Sequence, residues 1–137
     1  TTRFYGACVT SAILHLHDEG LIHRRVTPHC VYITDDGYAQ LADLSYAKKM
    51  EGEKAYTMIG DPHYLSPEQV SGQGYGFGVD HWALGILLYE MVHLHTPSAS
   101  ETSETMVYKS ITCFEPENLE FLSQASPHFI EITRELL

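Results

Sequence analysis

Residues 23–45 read His23-Arg24-Arg25-Val26-Thr27-Pro28-His29-Cys30-Val31-Tyr32-Ile33-Thr34-Asp35-Asp36-Gly37-Tyr38-Ala39-Gln40-Leu41-Ala42-Asp43-Leu44-Ser45. Two short apolar runs, Cys30–Ile33 and Tyr38–Leu41, flank Thr34-Asp35-Asp36-Gly37. An Asp-Gly step between such runs predicts a β-hairpin, because Gly takes the positive φ the turn demands. On the N-terminal side, Phe4, Cys8, Ala12, Ile13 and Leu16 follow helical spacing and Gly20 sits where that helix stops. On the C-terminal side, 46–62 lacks periodicity and reads as a long surface loop. Ser66-Pro67-Glu68-Gln69 opens a short helix, with Ser as N-cap and Pro in the first turn. Gly72, Gly74, Gly76 and Gly78 read as a flexible connection. From Val79 to Val92 apolar residues lie nearly all round the helix, the mark of burial on most sides. Residues 97–105 read as a polar loop, and Thr105–Phe114 and Pro127–Leu137 as two further amphipathic helices. The expectation is a mainly α-helical chain with one small β-hairpin.

Composition narrows the function. The 137 residues are 44% hydrophobic with a formal charge of −10. That apolar fraction is enough for a packed core. The charge argues against nucleic acid and anionic membrane surfaces, both of which are bound through clustered Lys and Arg. It would suit a basic peptide, and it also serves solubility. Cys8, Cys30 and Cys113 are widely separated and odd in number, with no CxxC pair, so a reducing interior compartment is expected. No apolar run is long enough to span a bilayer, and no signal peptide is visible. A helical pattern that begins at once, after Thr1 rather than Met, suggests a piece of a longer chain.

Three other readings fail on spacing. The alternating glycines do not complete G-x-G-x-x-G, since Phe77 stands at the closing position. His15/His17 and His93/His95 are spaced i, i+2 and lie on different helix faces, whereas zinc wants i, i+4 or more ligands. No G-x-S-x-G elbow is present.

Four segments in fixed order carry a family resemblance: His23-Arg24, Asp43-Leu44-Ser45, Ser66-Pro67-Glu68, and Asp80-His81-Trp82-Ala83-Leu84-Gly85. They resemble the HRD catalytic loop, the DFG metal motif, the APE motif and the buried central helix of protein kinases. Arg3-Phe4-Tyr5, Gly37-Tyr38, Ala47-Lys48-Lys49, Tyr64-Leu65 and Leu88-Tyr89-Glu90-Met91 look like the cyclic-nucleotide-dependent Ser/Thr kinases, in the AGC group. The resemblance implies the large, C-terminal lobe of a kinase fold over 1–137, with the small lobe and the end of the large lobe lying outside this stretch.

Against the loop HRDLKPEN, this chain reads His23-Arg24-Arg25-Val26-Thr27-Pro28-His29-Cys30. Arg25 stands for the proton-accepting Asp, Thr27 for the phosphate-steadying Lys and Cys30 for the magnesium-holding Asn. A guanidinium stays protonated and is no base; it repels magnesium, and sulfur is soft where hard oxygen is required. Asp43 retains one metal carboxylate. Tyr32 stands at the adenine-side position, where its ring crowds the base or stacks against it. Asp61 and His63 replace the usual Thr and Glu of GTPE.

The resemblance assigns Arg24 to pairing with a phosphorylated Thr57. It assigns structural roles to His23, Glu68 and Asp80, with Asp80 accepting bonds from the loop backbone and Glu68 pairing with an arginine beyond Leu137. It places Glu90, His29 and Asp61 on the substrate side. ATP and Mg would be cofactors of a complete domain and are not expected for these residues alone. A protein partner, regulatory domains elsewhere and an intracellular, cytoplasmic setting are expected. Three roles stay open: a pseudokinase with a regulatory or binding role, an atypical active Ser/Thr kinase, and a protein-docking scaffold.

Overall fold

A computed structural model describes residues 1–137 in full. Helix α1 (Thr2–Asp18) leads into strand β1 (Leu21–Ile22), the loop 23–30, strands β2 (Val31–Ile33) and β3 (Ala39–Leu41), and strand β4 (Lys48–Lys49). Helices α2 (Pro67–Ser71), α3 (Gly78–His93), α4 (Glu104–Thr112) and α5 (Pro127–Leu136) complete the chain.

Helix α3 is the axis of the molecule. Ten of its sixteen residues are buried, too many for a one-sided amphipathic helix, so neighbours must enclose it. Val9 and Ile13 of α1, Val107 and Ile111 of α4, and Val26 and Tyr64 from the loops join Trp82, Ala83, Leu84, Ile86, Leu87 and Leu88 in one core. Gly85 lets α5 come close: a Cβ there would lie 2.8–3.0 Å from Leu137 and Leu136 side-chain atoms.

Sequence signals place the ends of the elements. Ser66 caps α2 in a full capping box with Gln69, and Ser103 and Ser126 cap α4 and α5 through the amides of Met106 and Phe129. Each side-chain oxygen satisfies a donor that the helix itself cannot. The hairpin pairs Val31 with Leu41 and Ile33 with Ala39, and Gly37 takes φ 86° in its turn.

Three expectations need correction. The hairpin is not the only sheet, because β1 and β4 pair antiparallel, Leu21 opposite Lys49. Two-residue strands leave no periodicity to read. The loop 46–62 is tied down at its middle, where Ala55 bridges Tyr75 and both are buried with Ile22 and Val79. Tyr75 of this bridge lies in the glycine connection, where Gly72 and Gly74 take positive φ. Helix α4 also begins at Glu104, so the preceding loop is shorter than its polarity suggests.

Candidate functional site

The site forms where 23–30 and 43–46 meet over the N-terminal turn of α3. Asp80 is wholly buried, and its carboxylate accepts from the amides of His23 and Arg24, both at 2.8 Å. A third donor, His17 Nε2 on α1, reaches the same group at 2.8 Å. Such bonds to a charged acceptor are stronger than neutral ones. They hold Arg24 in a left-handed conformation, φ 64°, that costs a non-glycine residue about 1–3 kcal/mol.

His23 is equally buried, and its tautomer follows from its neighbours. Nδ1 accepts from the Arg25 amide at 3.2 Å, so Nε2 carries the proton and donates to the Ala42 carbonyl at 3.0 Å. This bond ties the loop to the segment that carries Asp43.

Arg25 turns its guanidinium onto Asp43. Nη1 donates to Oδ2 at 2.9 Å, and the guanidinium carbon lies 4.8 Å from the centre of the Tyr46 ring. The cation is thus held between a carboxylate and an aromatic face, each of which attracts it. The other Asp43 oxygen accepts from the Ser45 hydroxyl at 2.6 Å and from the Ser45 amide at 3.4 Å. Asp43 itself is left-handed, φ 59°.

The Ser45 bonds, then the Arg25 charge, hold the Asp43 carboxyl below its usual 3.8. A depressed folded-state pKa adds stability that is present above the usual value and lost as pH falls through the lowered one. In Ser45→Ala the hydroxyl is gone, so the Asp43 pKa should rise toward 3.8, as a carbon-detected carboxyl titration would report. An unchanged titration would assign the depression to Arg25 instead.

The donors do not fit magnesium. One Asp43 oxygen faces a guanidinium and the other a serine. Cys30 is buried and receives the Thr27 hydroxyl on Sγ at 3.7 Å. No group of three or more His, Cys, Asp or Glu side chains is placed to hold a metal. A hard divalent cation needs several converging oxygens, and here a permanent cation already sits against the Asp43 carboxylate.

The other predicted residues lie around this centre. Arg24 donates from Nε to the Tyr46 carbonyl at 2.6 Å and from Nη1 to the Tyr75 hydroxyl at 3.3 Å. Tyr75 in turn donates to the Thr57 carbonyl at 2.6 Å. Arg24 therefore reaches Thr57 through a tyrosine, and the Thr57 side chain is exposed. Asp61 caps a short turn by accepting from His63 N at 3.0 Å and shares a narrow crevice with Arg25. Glu90 accepts from the Tyr64 hydroxyl; burial, then Glu90, pushes that phenol's pKa up. His29 is exposed beside the same groove as Glu90. Glu68 is half-buried in the first turn of α2. Tyr32 is 58% exposed on the hairpin.

Residues 1–137 match the protein kinase domain family throughout. The chain belongs to the protein kinase family. Its fold is that of a kinase C-lobe, α+β with small antiparallel sheets. Among similar proteins are the rat cGMP-dependent protein kinase 2, 40% identical over 112 residues, which covers 81% of this chain and 15% of the rat protein. The Drosophila melanogaster cGMP-dependent protein kinase, isozyme 2, is 36% identical over 124 residues, 87% of this chain and 13% of its own length. A cGMP-dependent protein kinase of Toxoplasma gondii is 36% identical over 104 residues, 76% and 10% respectively. The kinase chain thus spans a small part of these relatives. No helix in it is long and apolar enough to cross a membrane.

Sequence reasoning missed four participants: His17, Tyr46, Tyr75 and Ser45 as a donor to Asp43. Spacing dismissed His17 as a zinc ligand, and only the packing of α1 on α3 reveals it as a donor to Asp80.

Proposed function

We propose that residues 1–137 are the large-lobe portion of a pseudokinase, a kinase-shaped module that binds and regulates rather than transferring phosphate. One observation carries this reading: the Arg25 guanidinium is paired with Asp43. The proton-accepting position holds a permanent cation, and that cation neutralises the one carboxylate left for magnesium. General-base positioning contributes about 10²–10⁴-fold to a rate, and phosphoryl transfer depends on metal neutralisation besides. Neither the base nor a suitable oxygen set is supplied by Arg25, Thr27 and Cys30.

The remaining machinery supports shape. Asp80, His23 and Arg24 keep the loop in its strained form, which suits a surface that a protein partner reads. Regulatory domains elsewhere in a longer chain are the partner this reading favours. Three free cysteines accord with a reducing compartment.

The test is a radiolabelled-phosphate assay on the full-length protein, beside an Asp43→Ala variant. No magnesium-dependent incorporation above that variant is expected. Turnover that needs magnesium and vanishes in Asp43→Ala would reject the pseudokinase reading and favour an atypical active kinase.

A further inference from the structure

His93, the last residue of α3, has both ring nitrogens engaged. Nδ1 lies 2.9 Å from the Tyr89 carbonyl oxygen, and Nε2 lies 3.1 Å from the Leu122 amide nitrogen. A carbonyl can only accept and an amide can only donate, so the proton sits on Nδ1 and Nε2 is bare. The ring is stacked parallel on Tyr89, with centres 3.8 Å apart. This arrangement requires the neutral imidazole.

Leu122 belongs to a short strap, residues 119–122, that joins α3 to α5. Two polar bonds fasten the strap to α3. In the first, the Tyr89 hydroxyl donates to the Glu120 carbonyl at 3.0 Å. Burial, then the Glu120 charge, pushes that phenol's pKa up, so it stays a donor in acid as at neutrality. The second is the bond from Leu122 to His93. Between them the Phe121 ring meets Tyr89, His93 and, on α5, Phe129, with centres 5.7–6.1 Å apart. Arg134 of α5 donates to the Leu119 carbonyl at 3.5 Å. One fastener is thus blind to pH and the other is not. An imidazole changes charge between about pH 5 and 8, and its cation is a donor at both nitrogens.

We infer that His93 is a pH-sensitive latch on the strap 119–122, closed while its imidazole is neutral and released when the ring is protonated. The second proton enters on Nε2, where it faces the Leu122 N–H, and the amide loses its acceptor. Leu122 is 41% exposed, so water takes up the freed amide and no buried donor is stranded. Near the ring, the carboxylates of Glu120 and of Glu90, one turn back on α3, attract a proton, as does the C-terminal end of that helix. His95, with ring centres 6.2 Å apart, and Arg134, 5.5 Å from the Phe121 ring, repel one. The stabilisation from the closed latch is present at higher pH and lost as pH falls through the imidazole range. Release frees Phe121 from α3 and so loosens the seat of α5. No residue of the latch bonds to Arg25 or Asp43, so it stands apart from the pseudokinase reading.

Nuclear magnetic resonance of the full chain, labelled at histidine and leucine, tests this between about pH 8 and about pH 5. At the upper end the long-range ¹H–¹⁵N pattern of His93 should place the proton on Nδ1; a proton on Nε2 would overturn the inference. As pH falls, the Leu122 amide resonance should move with the same midpoint as the His93 Cε1 proton. Its exchange with solvent, corrected for the intrinsic rate, should quicken about fivefold, the value of one net hydrogen bond. An amide that keeps its shift and its exchange rate while His93 titrates would equally overturn it. His93→Phe leaves a ring to stack on Tyr89 and removes the acceptor, so Leu122 should exchange at the faster rate at both ends of the range. A pH transition at Leu122 that survives in this variant would place the switch elsewhere and sink the proposal. If the variant does not fold, the tautomer and the shared midpoint in the unaltered chain decide the matter: both as expected support the latch, and failure of either overturns it.

Discussion

Asp80→Ala is expected to lower the stability of the chain by about 3–5 kcal/mol, the range for removing one partner from a buried charged network. The carboxylate accepts from two backbone amides and one imidazole, and alanine leaves all three donors without a partner inside the protein. An unsatisfied buried donor costs about 1–3 kcal/mol, and the left-handed Arg24 would relax, which recovers part of the loss. In urea, with a slope of about 1–3 kcal/mol per molar, the midpoint should fall by roughly 2 M. Asp80→Asn keeps one acceptor oxygen and should fall between. A loss under about 1 kcal/mol in Asp80→Ala would mean that the loop holds its shape by packing alone.

Arg25→Asp combined with Cys30→Asn is expected to raise magnesium affinity above that of the native chain. The double variant removes the cation from Asp43 and supplies two oxygen ligands beside it. The native pair is partly open to water, with side-chain exposures of 33% and 37%, so solvent and salt screen its charges. After that discount the double variant should still bind magnesium about tenfold more tightly than the native chain, since a carboxylate replaces a cation and an amide oxygen replaces sulfur. Isothermal titration with magnesium, using Arg25→Ala as the variant that only removes the cation, would measure it. Native protein binding magnesium as tightly as the double variant would show that the Arg25–Asp43 pair does not block the metal.

Legibility from sequence followed the physics of each element. Helix α3 was readable because apolar residues all round a helix leave few alternatives, and the hairpin because Asp36-Gly37 has a specific backbone requirement. The replaced residues Arg25, Thr27 and Cys30 stood out by chemical type alone. Where the Arg25 side chain goes was not readable. Its ion pair with Asp43 spans 18 residues, and its aromatic neighbour Tyr46 lies in a segment without periodicity. The β1–β4 pair and the Ala55–Tyr75 bridge escaped for the same reason: each is too short to print a pattern and depends on chain segments brought together by α3. His17 shows the converse error, a residue judged by its near neighbours in sequence when its partner lies 63 positions away.

That distance has a consequence for synthesis. The amide of His23 waits for a carboxylate 57 residues downstream. At about 5–20 residues per second a ribosome needs roughly 3–11 s to make that interval. During that time the nascent loop has no native acceptor, while α1 can already coil. Slowing elongation across residues 24–79 should lengthen the interval in which this segment is open to chaperones and proteases.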